Sequence, residues 1–446
     1  MSKPVISVAG IRGIVGDSLV PEEFLRYTLA YAAQCEGKQI VVGGDCRLSR
    51  HMVRRLVFAA LESSGFEAVD LGVCPTPTVG LMVRELGAAG GIAITASHNP
   101  AEWNALKFFS SEGVFLNQGE FDRVMRAYEA NDFRRASFAR LGRVVTHPDP
   151  IGPHVERAVG AVNQTKIRMR RLRAAVDCCN GAGTAILPRL CKSLGVEAEF
   201  IFTDTSIPFE RPAEPLPENL GTLCRTVKAV GADVGFAVDP DADRLALVDE
   251  TGRAIGEERT LTLVANHWLA KEKTPLVANL STTRALDDVA RAHGVPLYRT
   301  KIGEAHVVEE MKRVGSQIGG EGNGGVIAPR IHMGRDAAAG VAILCEALAE
   351  GKCSLSALNA KVPDYVIVKA KVSIEGRSVA EMLPKIEGAL PAPKGKSTLD
   401  GLKLEYENGW VHVRPSGTEP IIRIFAEAAT EAAAREWVDK ALKMAE

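Results

Sequence analysis

Gly90-Gly91-Ile92-Ala93-Ile94-Thr95-Ala96-Ser97-His98-Asn99-Pro100 is an apolar run that stops abruptly in a polar turn. The run predicts a buried strand, so Ser97 falls near its carboxyl end, where open α/β sheets place their ligands. A serine in that position reads as a nucleophile, a phosphate carrier or a plain turn residue, because Ser, Asn and Pro all favour turns for local reasons.

The same pattern recurs along the chain. Gln39-Ile40-Val41-Val42-Gly43 precedes Asp45, Ala174-Ala175-Val176-Asp177 precedes Asn180-Gly181-Ala182-Gly183, and Val234-Gly235-Phe236-Ala237-Val238 precedes Asp239. Through the first three quarters of the sequence such runs alternate with helix-like segments, among them residues 22–35 and 336–348, as βαβ units with a largely parallel sheet do. Turn-rich interruptions at 146–150 and 362–365 mark linkers. Beyond Tyr365 the character changes: residues 366–372 are strand-like, a proline- and lysine-rich gap follows at 391–396, and the whole reads as a small α+β domain. No internal repeat is legible.

At 446 residues the chain exceeds one ordinary domain, and a prior of about 100 to 200 residues per domain predicts three or four. A net charge of -1 with 24% charged residues gives no global field for nucleic acid or an anionic membrane, so an anionic ligand needs a local cluster of cations. Nine cysteines without a CxxC or Cys/His zinc spacing predict reduced thiols and a cytoplasmic protein. Neither a signal-peptide core nor a run of about 18 apolar residues is present, so no membrane association is expected.

Three further clusters carry chemistry. Asp239-Pro240-Asp241-Ala242-Asp243-Arg244 spaces three carboxylates at alternate positions, which an extended loop projects to one side. They suit a hard cation. Glu250 falls at the twelfth place of an EF-hand count, but Arg244 fills the sixth, where that loop needs glycine, and Leu245-Ala246-Leu247-Val248 reads as a departing strand; magnesium fits better. Gly319-Gly320-Glu321-Gly322-Asn323-Gly324-Gly325 lets backbone approach a ligand closely while offering a carboxylate and an amide to hydroxyls. It lacks the strand, turn and helix context of a dinucleotide fingerprint. Arg414-Pro415-Ser416-Gly417-Thr418-Glu419-Pro420, with Arg423 beyond it, gathers guanidinium, hydroxyl and glycine backbone donors suited to a phosphate dianion. It is no Walker A loop, and Gly395-Lys396-Ser397 is not one either, since Leu390 stands at the first glycine position. Arg12, framed by Gly10 and Gly13, and Lys107 could each stabilise negative charge near Ser97 or serve as ordinary surface charges. His98 could move protons near neutral pH or simply bond within its turn.

Together these stretches resemble the α-D-phosphohexomutases, the family of phosphoglucomutase, phosphomannomutase and phosphoglucosamine mutase. TASHNP is similar to the family's phosphoserine loop, DPDADR to its metal loop, GGEGNGG to its sugar-recognition loop and RPSGTEP to its phosphate-binding loop, in the family's order. The resemblance spans nearly the whole chain. It implies an α/β fold of four domains around a central cleft, three related α/β domains with mixed sheets and a smaller C-terminal α+β domain. The expected divisions are 1–148 for the phosphoserine, 149–252 for the metal, 253–364 for the sugar and 365–446 for phosphate binding.

The resemblance also implies roles. Ser97, His98, Lys107 and Arg12 are the expected catalytic residues, and Ser97, Asp239, Asp241 and Asp243 the expected ligands of Mg2+. Arg244, Glu321, Asn323, Arg414, Ser416, Gly417, Thr418 and Arg423 are the expected substrate contacts. The implied reaction interconverts hexose 6-phosphate and hexose 1-phosphate through a phosphoserine and a hexose 1,6-bisphosphate intermediate, and the implied partner is a small phosphosugar, bound by a monomer or homodimer. Two departures stand out. Where many members carry Glu-x-Ser-Gly-His, this chain has Glu321-Gly322-Asn323-Gly324-Gly325, which removes a candidate general base and leaves Lys107, His98 or Arg12. Gly44 stands where arginine is common, although Arg47 is kept. The GEGNGG form points first to phosphoglucosamine mutase and next to phosphoglucomutase/phosphomannomutase. A metal-dependent sugar phosphatase or a noncatalytic sugar-phosphate sensor are readings from other classes.

Overall fold

The computed structural model describes residues 3–374, 378–416 and 421–445. Gly417 and Thr418, two of the expected phosphate contacts, lie outside the described residues. In chain order the first sheet contains β1 (Val5–Ser7), β2 (Gly10–Ile14), β3 (Gln39–Gly44), β4 (Glu67–Val73), β5 (Gly90–Ile94), β6 (Trp103–Phe109) and β7 (Arg143–Thr146). They lie in the order β1-β2-β6-β5-β3-β4-β7. Pairing is parallel from β5 through β3 and β4 to β7 and antiparallel on the other side.

The second sheet holds β8 (Arg173–Asp177), β9 (Glu197–Ile201), β10 (Val234–Val238) and β11 (Leu245–Asp249), ordered β11-β10-β8-β9. The third holds β12 (Leu276–Asn279), β13 (Leu297–Thr300), β14 (Ile318–Glu321) and β15 (Gly325–Ile327), ordered β13-β12-β14-β15. In both, three parallel strands are closed by one antiparallel edge strand. The largely parallel pattern expected from the sequence is therefore a mixed one, because β6, β11 and β15 each run back antiparallel beside the strand that precedes them.

That reversal fixes where chemistry can occur. Ser97 lies between β5 and β6, Asp239 to Arg244 between β10 and β11, and Glu321 to Gly325 at the β14–β15 reversal. Each turn occupies the same topological place in its own sheet, at the carboxyl end of the final parallel strand. The repetition invisible in the sequence is thus explicit in the strand order.

The fourth sheet is wholly antiparallel: β16 (Val366–Ser373), β17 (Gly395–Ser397), β18 (Leu402–Tyr406), β19 (Gly409–Pro415) and β20 (Ile421–Ala428), ordered β16-β20-β19-β18-β17. Its core, with Ile386, Leu404, Val411, Ile424 and Val438, is separate. One apolar cluster instead joins the first three domains, running from Val41 and Phe109 through Ile186 and Leu247 to Leu344. At its centre is the helix Ala337–Gly351, buried at every position from Ala337 to Ala349. Asp336 starts this helix by accepting hydrogen bonds from Ala338 N at 2.9 Å and Ala339 N at 3.3 Å. No described helix is long and apolar enough to cross a membrane.

Candidate active site

Ser97 adopts φ +50, the left-handed region that costs a residue with a Cβ and persists only where neighbours impose it. The neighbour here is Arg47, whose side chain is fully buried beside Asp45, with Nε 3.1 Å from Asp45 Oδ2. Its guanidinium donates to Ser97 O at 2.6 Å, Asn99 O at 2.8 Å and Trp103 O at 2.9 Å, and also to Pro100 O. Thr95 Oγ1 completes the frame by donating to Asp45 Oδ2 at 2.6 Å and accepting from Ser97 N at 3.0 Å. Gly44 has no room for a side chain: a Cβ there would stand 2.3 Å from Ile94 O.

Ser97 Oγ donates to Asp239 Oδ2 at 2.9 Å, joining the first functional turn to the second. The aspartate loop is not extended, as its alternation predicted. Ala242 takes φ +52, and the chain curls so that Asp239 Oδ1 accepts from Asp243 N and Arg244 N, both at 3.2 Å. Asp241 Oδ2 accepts from Lys107 Nζ at 2.7 Å and Thr76 Oγ1 at 2.6 Å, while Asp243 Oδ2 accepts from Arg335 Nη2 at 2.7 Å. The three aspartates are fully buried and offer one oxygen each within 4.8 Å of one another. Asp241 Oδ1 and Asp243 Oδ1 are buried without a hydrogen-bond partner. Converging oxygens with two unsatisfied acceptors suit a hard divalent cation, and Ser97 Oγ is placed to join them. Burial, with Asp241 and Asp243 close by, pushes the Asp239 carboxyl well above the usual range. Burial works on Asp241 in the same direction, but Lys107 and Thr76 outweigh it and hold that carboxyl low.

Cations ring this cluster. Arg12 donates from Nη2 to Ala9 O at 3.1 Å and from Nη1 to Asn99 Oδ1 at 3.4 Å, and Arg244 Nη1 donates to Glu214 Oε1 at 3.1 Å. Arg12 Nε and Arg244 Nε are buried donors without an acceptor, an arrangement that suits an anion between them. Burial and the proximity of Arg244 lower the Arg12 guanidinium to about 10. His98 Nδ1 lies 3.5 Å from Ser97 Oγ, and burial followed by Arg244 and Arg12 holds the ring well below 6.5, hence neutral at pH 7.

The glycine-dense stretch is a β-hairpin rather than a free loop, with Glu321 ending β14. A Cβ on Gly320 would stand 1.9 Å from Gly325 O, so the two strands approach as only glycine permits. Glu321 Oε1 accepts from Asn279 Nδ2 at 2.7 Å and Gly303 N at 3.0 Å, and Oε2 from Arg335 Nη1 at 2.9 Å and Asn323 Nδ2 at 3.4 Å. Position 325 is filled from elsewhere: a Cβ on Gly325 would meet Arg335 Cδ at 2.3 Å.

In the C-terminal sheet, Arg414 and Arg423 are direct cross-strand partners, and Lys371 faces Arg423 from the other side. Opposed cations on one face are unfavourable unless an anion or carboxylate offsets them. Asp400 Oδ1 accepts from Arg414 Nε at 3.2 Å, and Asp400 Oδ2 accepts from Ile302 N at 3.0 Å, beside the Gly303 that caps Glu321. Ser416 N closes the strand pair on Ile421 O at 2.8 Å.

These four constellations fall one to a domain, and comparison with known proteins gives each domain a match. The models for phosphoglucomutase/phosphomannomutase alpha/beta/alpha domains I, II and III match residues 5–135, 153–252 and 257–365, and the model for the C-terminal domain matches 359–444. The chain belongs to the phosphoglucomutase/phosphomannomutase family. It is 37% identical over 445 residues to a phosphoglucomutase/phosphomannomutase of Thermococcus kodakarensis, covering 98% of this chain and 97% of that one. It is equally 37% identical, over 437 residues, to a probable phosphoglucosamine mutase of Methanopyrus kandleri, covering 97% and 95%. A crystal structure of a phosphoglucomutase/phosphomannomutase family protein from Burkholderia thailandensis superposes with a TM-score of 0.85 at 27% identity, covering 99% of this chain and 98% of that one. The family's four-domain α/β architecture and its isomerase class of enzyme are therefore those of this chain.

Within this phosphohexomutase, the serine and aspartate turns meet directly and the sugar hairpin joins them through Arg335. The C-terminal strands reach this cluster through Asp400 and the segment before Glu304, and also through Ser281 Oγ, 2.8 Å from His412 Nδ1. Arg335, Asp400 and Lys371 escaped sequence reasoning, and Arg47 was noted only as a kept family position, without its role. Asp45-Cys46-Arg47 did follow a strand-like run, which was the available signal for Arg47. Arg335, Asp400 and Lys371 sit in no motif, and only the folded chain brings them to the site.

Proposed function

We propose that this enzyme moves phosphate between O1 and O6 of a hexose monophosphate, with Ser97 as the phosphoryl carrier and a hexose 1,6-bisphosphate as intermediate. The observation that carries the reading is Ser97 Oγ held 2.9 Å from Asp239, beside two buried carboxylate oxygens that have no donor. In the first transfer the bond from phosphorus to Ser97 Oγ breaks and one forms to the free sugar hydroxyl, whose proton passes to a base in the cleft while Ser97 Oγ takes one up. The bisphosphate reorients, and its other phosphoryl group returns to Ser97 Oγ as the serine hydroxyl gives up its proton and the sugar oxygen left behind takes one up. His98 is the neutral base nearest Ser97, whereas Lys107, tied to Asp241, is better placed to offset charge. Arg12 and Arg244 offer their unpaired Nε donors to the transferring group. Magnesium held by Asp239, Asp241, Asp243 and Ser97 would neutralise charge on the phosphoryl oxygens.

Two substrate orientations require one fixed grip and a tolerant sugar contact. Arg414, Ser416 and Arg423, with Gly417 and Thr418, serve as the grip, and Glu321 with Asn323 serves as the contact. Glucosamine phosphate is the first substrate on this reading, in line with the name of the Methanopyrus relative; glucose and mannose phosphates come second, in line with that of the Thermococcus relative. The cysteines are free thiols, which supports a cytoplasmic setting. The test is a side-by-side isomerisation assay with the 1-phosphates of glucosamine, glucose and mannose, each primed with its 1,6-bisphosphate and run with magnesium and with chelator. Isomer formation that needs magnesium and is fastest with the glucosamine sugar is expected. Release of inorganic phosphate without isomer would mark a phosphatase and sink the mutase reading.

A further inference from the structure

Arg335 is the one side chain whose bonds reach the aspartate turn, the sugar hairpin and the helix start beside them, among the hydrogen bonds of the described residues. Its Nη2 lies 2.7 Å from Asp243 Oδ2, its Nη1 2.9 Å from Glu321 Oε2 and its Nε 2.9 Å from Glu304 Oε2. Its side chain is only 10% exposed, so these are desolvated pairs, and a guanidinium fork can serve three carboxylates at fixed angles where an ammonium cannot. The bonds are selective by atom. On Asp243 the guanidinium takes Oδ2 and leaves Oδ1 without a hydrogen-bond partner, 3.9 Å from Arg244 Nε. On Glu321 it takes Oε2, while Asn279 and Gly303 N hold Oε1. The volume it needs exists because residue 325 has no side chain, a Cβ there standing 2.3 Å from Arg335 Cδ and 2.8 Å from Cγ.

We propose that Arg335 is a positioning residue that locks the aspartate turn to the sugar hairpin, so that divalent-metal affinity and sugar-phosphate affinity are set by one guanidinium. This rests on the mutase reading of the cleft. With both carboxylates tied to one rigid plane, a shift of one is felt by the other.

The test uses the full-length protein and three substitutions, Arg335→Lys, Arg335→Ala and Gly325→Ala. Mn2+ affinity is read by electron paramagnetic resonance without sugar, KM and kcat in the isomerisation assay, and folding by thermal unfolding. Arg335→Lys should unfold near the wild-type temperature yet weaken Mn2+ binding and raise KM, each by about tenfold or more. Gly325→Ala should do the same by displacing the guanidinium, and should add less than about twofold once Arg335→Ala has removed the obstruction. Mn2+ affinity and KM both within about twofold of wild type in Arg335→Lys would overturn the inference. So would Gly325→Ala and Arg335→Ala effects that multiply. If Arg335→Ala does not fold, the Lys variant and Gly325→Ala alone still decide. A wild-type protein that binds Mn2+ but isomerises no hexose phosphate overturns the mutase reading instead, and the Mn2+ arm then decides the hold on Asp243.

Discussion

Ser97 pays for its place with a left-handed backbone, and the surrounding residues show what keeps it there. Arg47 gathers the carbonyls of the serine and of the residues that follow it, so the turn is held by one buried fork rather than by its own sequence. Ser97→Ala leaves that fork intact and removes the hydroxyl that would carry the phosphoryl group and that bonds Asp239. Turnover should fall at least about a thousandfold, while calorimetric affinity for the sugar phosphate is little changed; near-normal turnover would refute the carrier role. The serine and the three aspartates were legible in the sequence because each set lies within a few consecutive residues, where chemistry and spacing can be read together. Arg335 was not, and Arg47 was visible as a kept family position but not in what it holds, because each acts on atoms supplied by distant segments. Asn323 and Gly325 were legible as departures from a family pattern, but the meaning of Gly325 came only from the side chain that fills its place.

Strands were the most legible elements. The runs read at 90–94, 234–238 and 366–372 form the strands Gly90–Ile94, Val234–Val238 and Val366–Ser373. The helix read over 22–35 forms as Pro21–Ala33, and that over 336–348 as Ala337–Gly351 with Asp336 as its cap. Strand order and direction were hidden, since an apolar run carries no mark of whether its neighbour is parallel. Asp336 shows what an element boundary can do beyond capping. Its Oδ2 accepts from His154 Nε2 at 2.7 Å, and His154 Nδ1 in turn accepts from Thr78 Oγ1 at 2.8 Å, so one helix start pins helices of two other domains. Asp336→Ala removes the cap and strands a buried imidazole, and should cost on the order of 3 kcal/mol. Urea unfolding checks this, with Asp336→Asn as the variant that keeps the cap; a loss below about 1 kcal/mol for the alanine would be too small for both roles.

At the scale of the whole molecule, three domains share an apolar core and the fourth is joined to them by polar contacts. Ser281 Oγ bonds His412 Nδ1 at 2.8 Å, His412 Nε2 bonds Asp400 O at 2.6 Å, and Arg284 N donates to Glu427 Oε1 at 2.9 Å. A carbonyl only accepts, so the His412 proton is on Nε2 and Nδ1 accepts from Ser281. Burial, reinforced by Lys403 and Arg414 against the pull of Asp400, lowers the ring to about 4. The unfolded chain, with an ordinary histidine near 6.5, takes up this proton first. The stability from the neutral ring is therefore full above about pH 6.5 and lost as pH falls toward about 4. Between pH 7 and pH 5 the loss should be about 2 kcal/mol, and His412→Gln should flatten that limb in urea unfolding. Equal acid losses in both proteins would show that other groups set the slope. Such interfaces were beyond reading from sequence, because Ser281, Asp400 and His412 are individually unremarkable polar residues.

The three turns occupy equivalent places in three sheets but widely separated places along the chain, and translation delivers them one at a time. The serine emerges first, the aspartates about 140 residues later, then the sugar hairpin, and last the opposed arginines. Domains fold largely as units and amino-terminal first. On the proposed reading, a nascent chain thus carries the serine and the aspartate cluster long before the hairpin and the arginines that would grip a sugar phosphate, and only the later domains could bring a phosphate and a hexose to them together.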